Sequence, residues 1–514
     1  MFKASVIKSL ATRLPRRGYR YSARTPWRKD TTPGPSVFVE ENFAKHTLFV
    51  LDVGKRFFKF SIVGLIALGT TAATVYEGLH LYVEHVELAP EQDAEVKRWE
   101  WDQDTEKWTG NTTKGGTDAA LGFKGRHIVR AAWMAYNWGV GYSTAVIGSD
   151  DNRGSGLVGP GGLNIVDARL QRTEDFLNSA ISIAEKRVLN NEMDPQTITE
   201  LVVRRAMILE RLGPGYLLDS RDQYARAWVG MSQNGHDAAR VAAKLGDISF
   251  RLGQADDALT WWSRAIRTIV DEPFETLDSV ATKFNSVPSS PSAQRLLSSV
   301  FVSLSAFYAK SGQLRHAQSI EEASLNMLRS TSPPESMTST SPPQALHALY
   351  LLQRSALLSI HLAEVLHAQR NPVASSIHWL TSAAQSSERV VHGLSGLFTT
   401  GPGGSTNSVP HIGGASLLPA YNSSRSLNKA ANGLLRDARR TAAEAWNLMG
   451  ILNEAQGKDL RTALRCYERA VDWAGTPPGK ADIREAAEGT LESDWLVFWG
   501  NYTRARLLVE QSQT

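Results

Sequence analysis

The sequence predicts an all-α protein, a tetratricopeptide-type helical solenoid preceded by a single transmembrane helix. Three observations support this fold class. One uncharged segment, Phe60–Tyr76, lies near the N-terminus. From about Arg126 onward the apolar residues recur with helical spacing almost to the end, and strand-like alternation is scarce. Several stretches of that region share small and aromatic residues at the offsets of a helix-pair repeat of about 34 residues.

The extreme N-terminus has the composition of a mitochondrial presequence. Residues 1–29 contain nine basic residues and no acid, so the rest of a chain whose formal charge is +4 is net acidic. Phe2, Val6 and Leu10 recur at a spacing of four, which places an apolar stripe on a basic helix. We predict a presequence over residues 1–24. A disordered basic tail is the alternative, and the basic balance indicates no nucleic-acid partner.

The uncharged segment is at the short end of a spanning helix, and its apolar flanks extend it to residues 57–82. Lys55 and Arg56 precede it, and Glu77 and Glu84 follow it. By the positive-inside rule the N-terminus and residues 25–56 lie in the mitochondrial matrix, and the chain beyond the helix lies in the intermembrane space. A buried core helix is the alternative.

A polar linker, residues 83–125, follows the membrane helix. Trp99, Trp101 and Trp108 stand there among acidic residues. We interpret this stretch as either a tether or a docking strand.

The repeat array is predicted over residues 126–480. Its clearest copy is Ala239–Pro273, in which small residues let two helices approach, an aromatic residue fills the space between them and a glycine turns the chain. Further copies begin at Ser298 and at Ala443. The residues assigned to repeat packing are Leu245, Gly246, Gly253, Ala258, Trp262 and Ala265 in the first copy, Tyr308, Gly312 and Ala317 in the second, and Trp446, Gly450, Ala463, Tyr467 and Ala470 in the third.

The array is irregular in places. In the second copy Glu321 replaces the aromatic residue, and we interpret Glu321-Glu322 as a solvated charged pair. Looser helical pairs are predicted at His127–Ile147 with Asp167–Asn190, at Ile198–Met231 and at Ser355–Arg389. An irregular helical bundle is the alternative.

Two inserts and a terminal helix complete the predicted organisation. Residues 330–343 are rich in Ser, Thr and Pro, and residues 393–421 are rich in Gly, so both are predicted to be disordered. Residues 481–514 are predicted to form a capping helix with a polar outer face.

The sequence offers no catalytic, cofactor-binding or metal-binding set. A G-x-G-x-x-G pattern at Gly154–Gly159 lacks the preceding strand of a dinucleotide site. There is no P-loop pattern, and there is no H-E-x-x-H pattern. The single cysteine, Cys466, is interpreted as a buried structural thiol. We therefore expect no enzyme activity and no cofactor.

A helical solenoid binds extended or helical polypeptide along the face formed by the first helix of each repeat. The residues predicted to line this groove are Arg240, Lys244, Asp247, Arg251, Glu444, Asn447 and Ile451.

The order of presequence, membrane helix with an acidic exit (Leu79 to Glu87), tryptophan-containing linker and divergent repeats resembles the fungal tetratricopeptide-repeat adapter subunit of the mitochondrial inner-membrane i-AAA protease. The resemblance covers nearly the whole chain but depends on order more than on one motif. It implies a non-catalytic partner of the i-AAA protease and its companion adapter, which binds unfolded or unassembled proteins in the intermembrane space and passes them on.

Two other functions remain open at this point. An assembly factor or receptor for a different inner-membrane complex would use the same groove. An enzyme would need converging polar groups that the sequence does not reveal.

Overall fold

The computed structural model describes residues 38–104, 107–108, 115–139, 146–148, 164–270, 287–330, 340–396, 417–456, 460–475 and 491–512. The predicted presequence, the glycine motif at residues 154–159, Pro273, most of both inserts and residues 481–490 lie outside these ranges. The chain divides into two compact units, residues 1–76 and residues 77–514.

The first helix, α1, comprises Phe38–Tyr82 and therefore begins well before the predicted span. Within it and the turn that follows, Leu48–Glu87 is long and apolar enough to cross a membrane, by length and composition. Two of its threonine hydroxyls are satisfied inside the helix: Thr71 Oγ1 donates to the carbonyl of Ala67 at 2.9 Å, and Thr74 Oγ1 donates to that of Thr70 at 2.8 Å. An internally satisfied, outwardly apolar helix suits a lipid environment.

The unit formed by residues 77–514 consists of helical hairpins. A π-helical turn (Val83–Glu87) and two short helices, α2 (Ala94–Arg98) and α3 (Trp101–Asp104), come first. Within the described ranges six hairpins follow, and one last helix. They are α4 (Gly122–Trp138) with α5 (Ala168–Leu189), α6 (Pro195–Leu212) with α7 (Leu217–Gly230), α8 (His236–Arg251) with α9 (Ala255–Val270), α10 (Pro291–Lys310) with α11 (Leu314–Ser330), α12 (Pro342–Ala368) with α13 (Val373–Ser395), α14 (Arg425–Ala455) with α15 (Leu460–Ala474), and α16 (Leu491–Gln511).

Short elements connect some of the helices. Single 3₁₀ turns occur at Ala119–Leu121, Pro214–Tyr216 and Pro419–Asn422. Two three-residue strands, β1 (Val146–Gly148) and β2 (Asn164–Val166), pair antiparallel between α4 and α5. The fold is therefore all-α in class, as the sequence predicts.

The hairpins pack through glycine–aromatic contacts. A Cβ added to Gly246 of α8 would lie 2.5 Å from Cδ1 of Trp262, so only glycine lets the indole of α9 come this close. Gly450 of α14 receives Tyr467 of α15 in the same way, at 2.5 Å from Cε1. The remaining repeat-packing residues lie where such contacts need them: Leu245, Ala258, Ala265, Tyr308, Ala317, Ala463 and Ala470 are buried, and Trp446 is half-buried.

Glycines also make the turns within hairpins. Gly253 and Gly312 adopt φ values of 78° and 74°, the left-handed region that side chains disfavour. The same device ends α4, because Gly139 has φ 64°. The helix predicted over His127–Ile147 therefore stops at Trp138, and Ile147 lies in β1 instead.

Burial corrects two further expectations. Glu321 is 0% exposed, so the Glu321-Glu322 pair is not a solvated face. The exposed side of α16 carries apolar residues such as Leu496 and Trp499 beside charged residues such as Arg506 and Glu510, so its outer face is mixed and not uniformly polar. Cys466, in contrast, is a buried free thiol as predicted, and burial raises its pKa to about 11.

The helices also extend beyond their predicted bounds. The sequence predicts a third repeat that begins at Ala443, but the helix that contains this residue, α14, begins at Arg425 and is 31 residues long. Tyr421, at the end of the predicted second insert, is buried in a 3₁₀ turn. Residues 417–421 therefore belong to the folded chain, although they lie within the predicted insert.

Candidate functional site

The first helices of five hairpins line one cavity of about 850 Å³. The lining comes from α6, α8, α10, α12 and the N-terminal half of α14, together with part of α7, the turn between α7 and α8, and residues of the linker that precedes the array. We call this surface the groove. It is the surface on which a solenoid binds polypeptide.

A segment of the chain itself already lies along the groove. This docked linker comprises residues 83–104 and 107–108. It contacts α4 through Glu84, then α14, then α12 and α10, then α8, and finally α6 and α4 again, so from Glu87 onward it runs opposite to the order of the hairpins. The tryptophan-rich stretch is therefore a docking strand and not a free tether.

Acidic side chains of the docked linker meet the N-terminal ends of successive first helices. Glu91 accepts a hydrogen bond from Ser424, the N-cap of α14, at 2.5 Å. Glu95 accepts one from Ser341, the N-cap of α12, at 3.3 Å. The N-terminus of a helix favours negative charge, so each carboxylate lies where the helix dipole stabilises it.

The series continues at the next two hairpins. Glu100 accepts from the backbone N–H and the hydroxyl of Ser292 in the first turn of α10, at 3.0 and 2.7 Å. Burial raises the pKa of Glu100, but hydrogen bonds from Ser290 and Ser292 outweigh it and hold that pKa below its usual value. Asp104 lies 3.4 Å from Nε2 of His236, the first residue of α8. Acidic residues spaced four or five positions apart along the docked linker thus each meet the N-terminal end of a different helix.

Three arginines, which we call the arginine ladder, hold the main chain of the docked linker. Arg204 of α6 donates to the carbonyl of Lys107 at 3.0 Å, and Arg240 of α8 donates to that of Gln103 at 2.7 Å. Arg295 of α10 donates to the carbonyls of Trp99 and Glu100 at 3.1 and 2.9 Å. Carbonyl oxygens are common to every residue, so these contacts do not depend on the side chain that is held.

Two tryptophans anchor the docked linker. Trp101 is 3% exposed, donates from Nε1 to the carbonyl of Pro343 at 2.9 Å and lies under the guanidinium of Arg295, 4.0 Å from its ring centre. Trp108 is likewise buried, with Arg204 4.9 Å above its ring. Each ring therefore gains burial and a cation–π contact with the arginine that holds the adjacent main chain.

The neutral form of His347 completes the contact at Arg295. Arg295 Nη1 lies 3.1 Å from Nδ1 of His347, which makes this nitrogen an acceptor and leaves Nε2 to donate to Gln294 Oε1 at 3.0 Å. Burial and then the charge of Arg295 lower the pKa of His347 to about 4. The ring of Trp99 packs on the imidazole, with centroids 5.3 Å apart.

The linker is fixed to the first hairpin by Glu84. This buried carboxylate accepts from the backbone N–H and the hydroxyl of Thr117 at 2.8 and 2.7 Å. Arg126 and Arg130 of α4 pair with it at 2.9 and 3.4 Å. Both ends of the docked linker are therefore held by charge-assisted contacts.

Of the predicted groove residues, Arg240, Lys244 and Asp247 line the cavity. Lys244 also pairs with Glu210 of α6 at 3.2 Å, and Arg251, which does not line the cavity, pairs with the same carboxylate at 3.1 Å. Asp247 accepts from Nε1 of Trp262 at 3.1 Å. Lys244 and Arg251 therefore join adjacent hairpins, whereas the bond of Asp247 lies within its own hairpin.

The predicted residues of the last repeat lie elsewhere. Glu444, Asn447 and Ile451 are not among the residues that line the cavity. Asn447 is 6% exposed and accepts from Asn501 of α16 at 2.9 Å. The reason is the length of α14: its N-terminal half, with Lys429 and Asp437, faces the groove, and its C-terminal half packs against α15 and α16.

Carboxylates and cations alternate around the cavity. Burial raises the pKa of Glu200 to about 7, and it raises the pKa values of Asp247 and Asp437 above their usual range. Arg204 and Arg354 line the same cavity. A lining of mixed sign, interrupted by apolar residues such as Val300 and Leu434, suits polypeptide better than one small ion.

Sequence reasoning missed the arginine ladder except for Arg240. Arg204 lies in a predicted helical pair and Arg295 lies just before the second predicted copy. Both are buried, and burial of an arginine is not visible in a single sequence. The available signal was the regular spacing of acids at Glu91, Glu95 and Glu100 beside three tryptophans. Among the residues that the structure describes, no group of three or more His, Cys, Asp or Glu side chains is placed to hold a metal ion.

Comparison with known proteins gives little beyond this geometry. No protein-family model and no curated protein matches the chain. Among solved structures, a circular tandem repeat protein with novel repeat topology and enhanced subunit contact surfaces is 12% identical, with a TM-score of 0.22 over 67% of this chain and 81% of that one. A signal transduction ATPase with numerous domains and a tetratricopeptide repeat sensor, from Pyrococcus horikoshii, is 14% identical, with a TM-score of 0.17 over 66% of this chain and about half (49%) of that one. TM-scores this low support no inference, so the helical-repeat architecture stands on this chain's own hairpins.

Proposed function

We propose that the chain is a membrane-anchored, non-catalytic adapter of the mitochondrial inner membrane. It binds unfolded or unassembled polypeptides in the intermembrane space and delivers them to the i-AAA protease. The proposal combines the order of segments in the sequence with the groove. The observation that carries it is the arginine ladder, which holds a polypeptide by its main-chain carbonyls.

Main-chain recognition is what an adapter for many unfolded proteins needs. A folded protein uses its carbonyls in secondary structure, whereas an unfolded chain offers them freely. A cavity of about 850 Å³ beside the docked linker leaves room in the groove for client side chains. Its mixed lining accommodates clients of varied sequence.

The membrane helix adds proximity to the protease. Two proteins confined to one membrane meet at a high effective concentration, so a weak groove contact is enough to retain a client. The adapter then needs no chemistry of its own.

A photo-crosslinking amino acid tests client binding in the groove. It replaces Lys244, which lines the cavity, or Arg264, an exposed residue of α9, as the matched control. In mitochondria of a fungal host, crosslinks to unassembled inner-membrane and intermembrane-space proteins are expected from position 244 and not from position 264. Equal crosslinking from both positions would contradict client binding in the groove.

Co-purification after digitonin extraction tests the delivery step. The tagged chain is expected to recover the i-AAA protease and its companion adapter. Recovery of a respiratory-chain assembly intermediate without the protease would instead identify an assembly factor.

The orientation is tested separately in mitoplasts. A C-terminal tag is expected to become protease-sensitive when the outer membrane is opened. A tag that stays protected would place the array in the matrix and end the adapter proposal.

A further inference from the structure

We propose that the docked linker is an exchangeable occupant of the groove. Its surface, formed by four helix N-termini and the arginine ladder, binds acidic segments that contain aromatic residues, and such a segment supplied in trans displaces the linker. This inference rests on the proposed function, because it assumes that clients enter the same groove. It adds a client class and a mechanism of competition.

The contacts define the chemistry of the preferred client. Carboxylates four or five residues apart meet the N-terminal ends of α14, α12, α10 and α8. Between them, carbonyls accept from the arginine ladder, and a tryptophan ring lies beneath Arg295. Each of these contacts requires a residue type at a spacing, and none requires that the segment be part of the same chain.

The conformation of the docked linker depends on the groove. Glu100, between α2 and α3, has φ 55°, a left-handed backbone that a side chain adopts only when its surroundings hold it. The two helices beside it have five and four residues, too few to be stable alone. The linker therefore loses this order when it leaves the groove, and that loss favours exchange for a client.

Competition from the docked linker lowers the apparent affinity of the groove for a client. If the linker occupies the groove about 99% of the time, a client binds about 100-fold more weakly than it binds the open groove. Only clients that reproduce several of the linker's contacts, or that are held nearby at high concentration, then enter. The adapter would be selective without a catalytic step.

A reversible cross-link tests the exchange in the full chain in detergent. Cys466 is replaced by alanine, and Lys107→Cys and Asp237→Cys are introduced, because their side chains meet at 2.7 Å between Nζ and Oδ2 and neither side chain belongs to the carboxylate or arginine contacts described above. A reducible bifunctional thiol reagent then joins linker and groove. The probe is a fluorescent peptide with the sequence of residues 91–108. The control peptide carries amides in place of Glu91, Glu95, Glu100 and Asp104.

The probe is expected to bind the cross-linked chain at least about 10-fold more weakly than the same chain after reduction, since the bound fraction of linker sets the apparent affinity. The control peptide is expected to bind weakly in both states. Equal probe affinity in both states, or no probe binding in either, would overturn the exchange and show that the linker is a permanent part of the fold.

A reduced and alkylated unfolded protein, measured in parallel, separates this inference from the proposed function. Binding that is lost on cross-linking and restored on reduction supports both. Equal binding in both states keeps the adapter function and removes the competition. Absence of binding in both states removes the adapter function itself.

Discussion

At the scale of single residues, Arg295 concentrates more of the docked linker's contacts than any other side chain described above. It holds two carbonyls, pairs with Asp104 at 2.5 Å and covers the ring of Trp101. These partners lie in different directions, and only the planar fork of a guanidinium reaches them together. A lysine at this position would keep the charge and lose the geometry.

Arg295→Lys is therefore expected to release the docked linker without unfolding the array. Each hydrogen bond to a charged group contributes about 1.5–3 kcal/mol, so the loss of two should speed linker opening at least about 10-fold. The rate of trypsin cleavage after Arg98 and Lys107 measures this opening. Arg264→Lys is the matched control, because Arg264 also stacks on a tryptophan, Trp261, at 4.5 Å. Unchanged cleavage in Arg295→Lys would show that the arginine does not hold the linker.

Glu321 shows a different residue-level effect. Its carboxyl accepts from Ser305 through Oε1, while Oε2 has no hydrogen-bond partner among the described residues. Burial raises its pKa to about 8, and the neighbouring Glu364 and Glu322 act in the same direction. A raised folded-state pKa means that the stability contributed by this group is complete below its unfolded pKa of 4.5. That contribution is lost as the pH rises through 8.

Glu321→Gln is expected to remove this loss of stability at high pH. At pH 9 the variant should be more stable than the parent by about 1–3 kcal/mol, because a buried charge no longer lacks a partner. Denaturant unfolding from pH 5 to pH 9 measures the difference. Glu468→Gln, at an exposed position of α15, is the control and is not expected to remove the loss of stability at high pH. Parallel profiles for parent and Glu321→Gln would show that this carboxyl is solvated after all.

Residue-level features were the hardest to predict from sequence. Glu321 occupies the position at which the repeat pattern has an aromatic residue, and its charge alone predicts a solvent-exposed side chain. Its burial arises because Ser305 of α10 offers it a hydroxyl, a partner sixteen residues away. Arg204 and Arg295 were missed for a related reason: their partners lie about one hundred and two hundred residues earlier in the chain.

At the scale of elements, the hairpins were the predictable part. Small-plus-aromatic spacing identifies α8 with α9 and α14 with α15, because glycine and a bulky ring must face each other for two helices to approach closely. The positions of helix starts were less predictable. Proline at the first position of α6, α10 and α12 marks them in retrospect.

Gly246→Ala tests the glycine–aromatic contact. The new methyl would lie 2.5 Å from the indole of Trp262, which is fully buried and cannot move aside. Overpacking of this kind should lower the free energy of unfolding by about 1–3 kcal/mol. Gly433→Ala, in the interior of α14 with nothing within 4 Å of the added Cβ, is the control. It should raise the free energy of unfolding by about 0.5–1 kcal/mol, since alanine favours helix. Destabilisation of equal size at both positions would contradict the packing explanation.

At the scale of the unit formed by residues 77–514, the docked linker changes how a solenoid is held together. Hairpins of a solenoid contact only their neighbours, so distant repeats are coupled through the chain of hairpins between them. Here Glu87 pairs with Arg425 of α14 at 3.3 Å, while Trp108 packs against Tyr136 of α4. The linker thus adds to the direct contact between the first and last hairpins, where Nζ of Lys429 of α14 lies 5.9 Å from the ring centre of Tyr136 of α4.

This additional coupling predicts a single cooperative transition for the parent array and two transitions once it is weakened. The change is Glu100→Gln with Asp104→Asn, which removes the carboxylates held by α10 and α8. Glu84 and Glu87 still contact α4 and α14 in this variant, but the coupling of the intervening hairpins through the linker is weakened. The less stable half should then unfold roughly 5–10 °C below the other, given a loss of a few kcal/mol. Differential scanning calorimetry of the full chain in detergent measures this separation.

The matched control is Asp256→Asn with Asp257→Asn, two exposed acids in the first turn of α9 that likewise favour a helix N-terminus. This pair should lower the midpoint slightly and leave one transition, because it weakens one helix without releasing the linker. A single transition in the Glu100 and Asp104 variant, merely shifted to lower temperature, would show that hairpin contacts alone couple the array. In that case the docked linker would not contribute to the coupling between hairpins, and its exchange for a client would leave the cooperativity of unfolding unchanged.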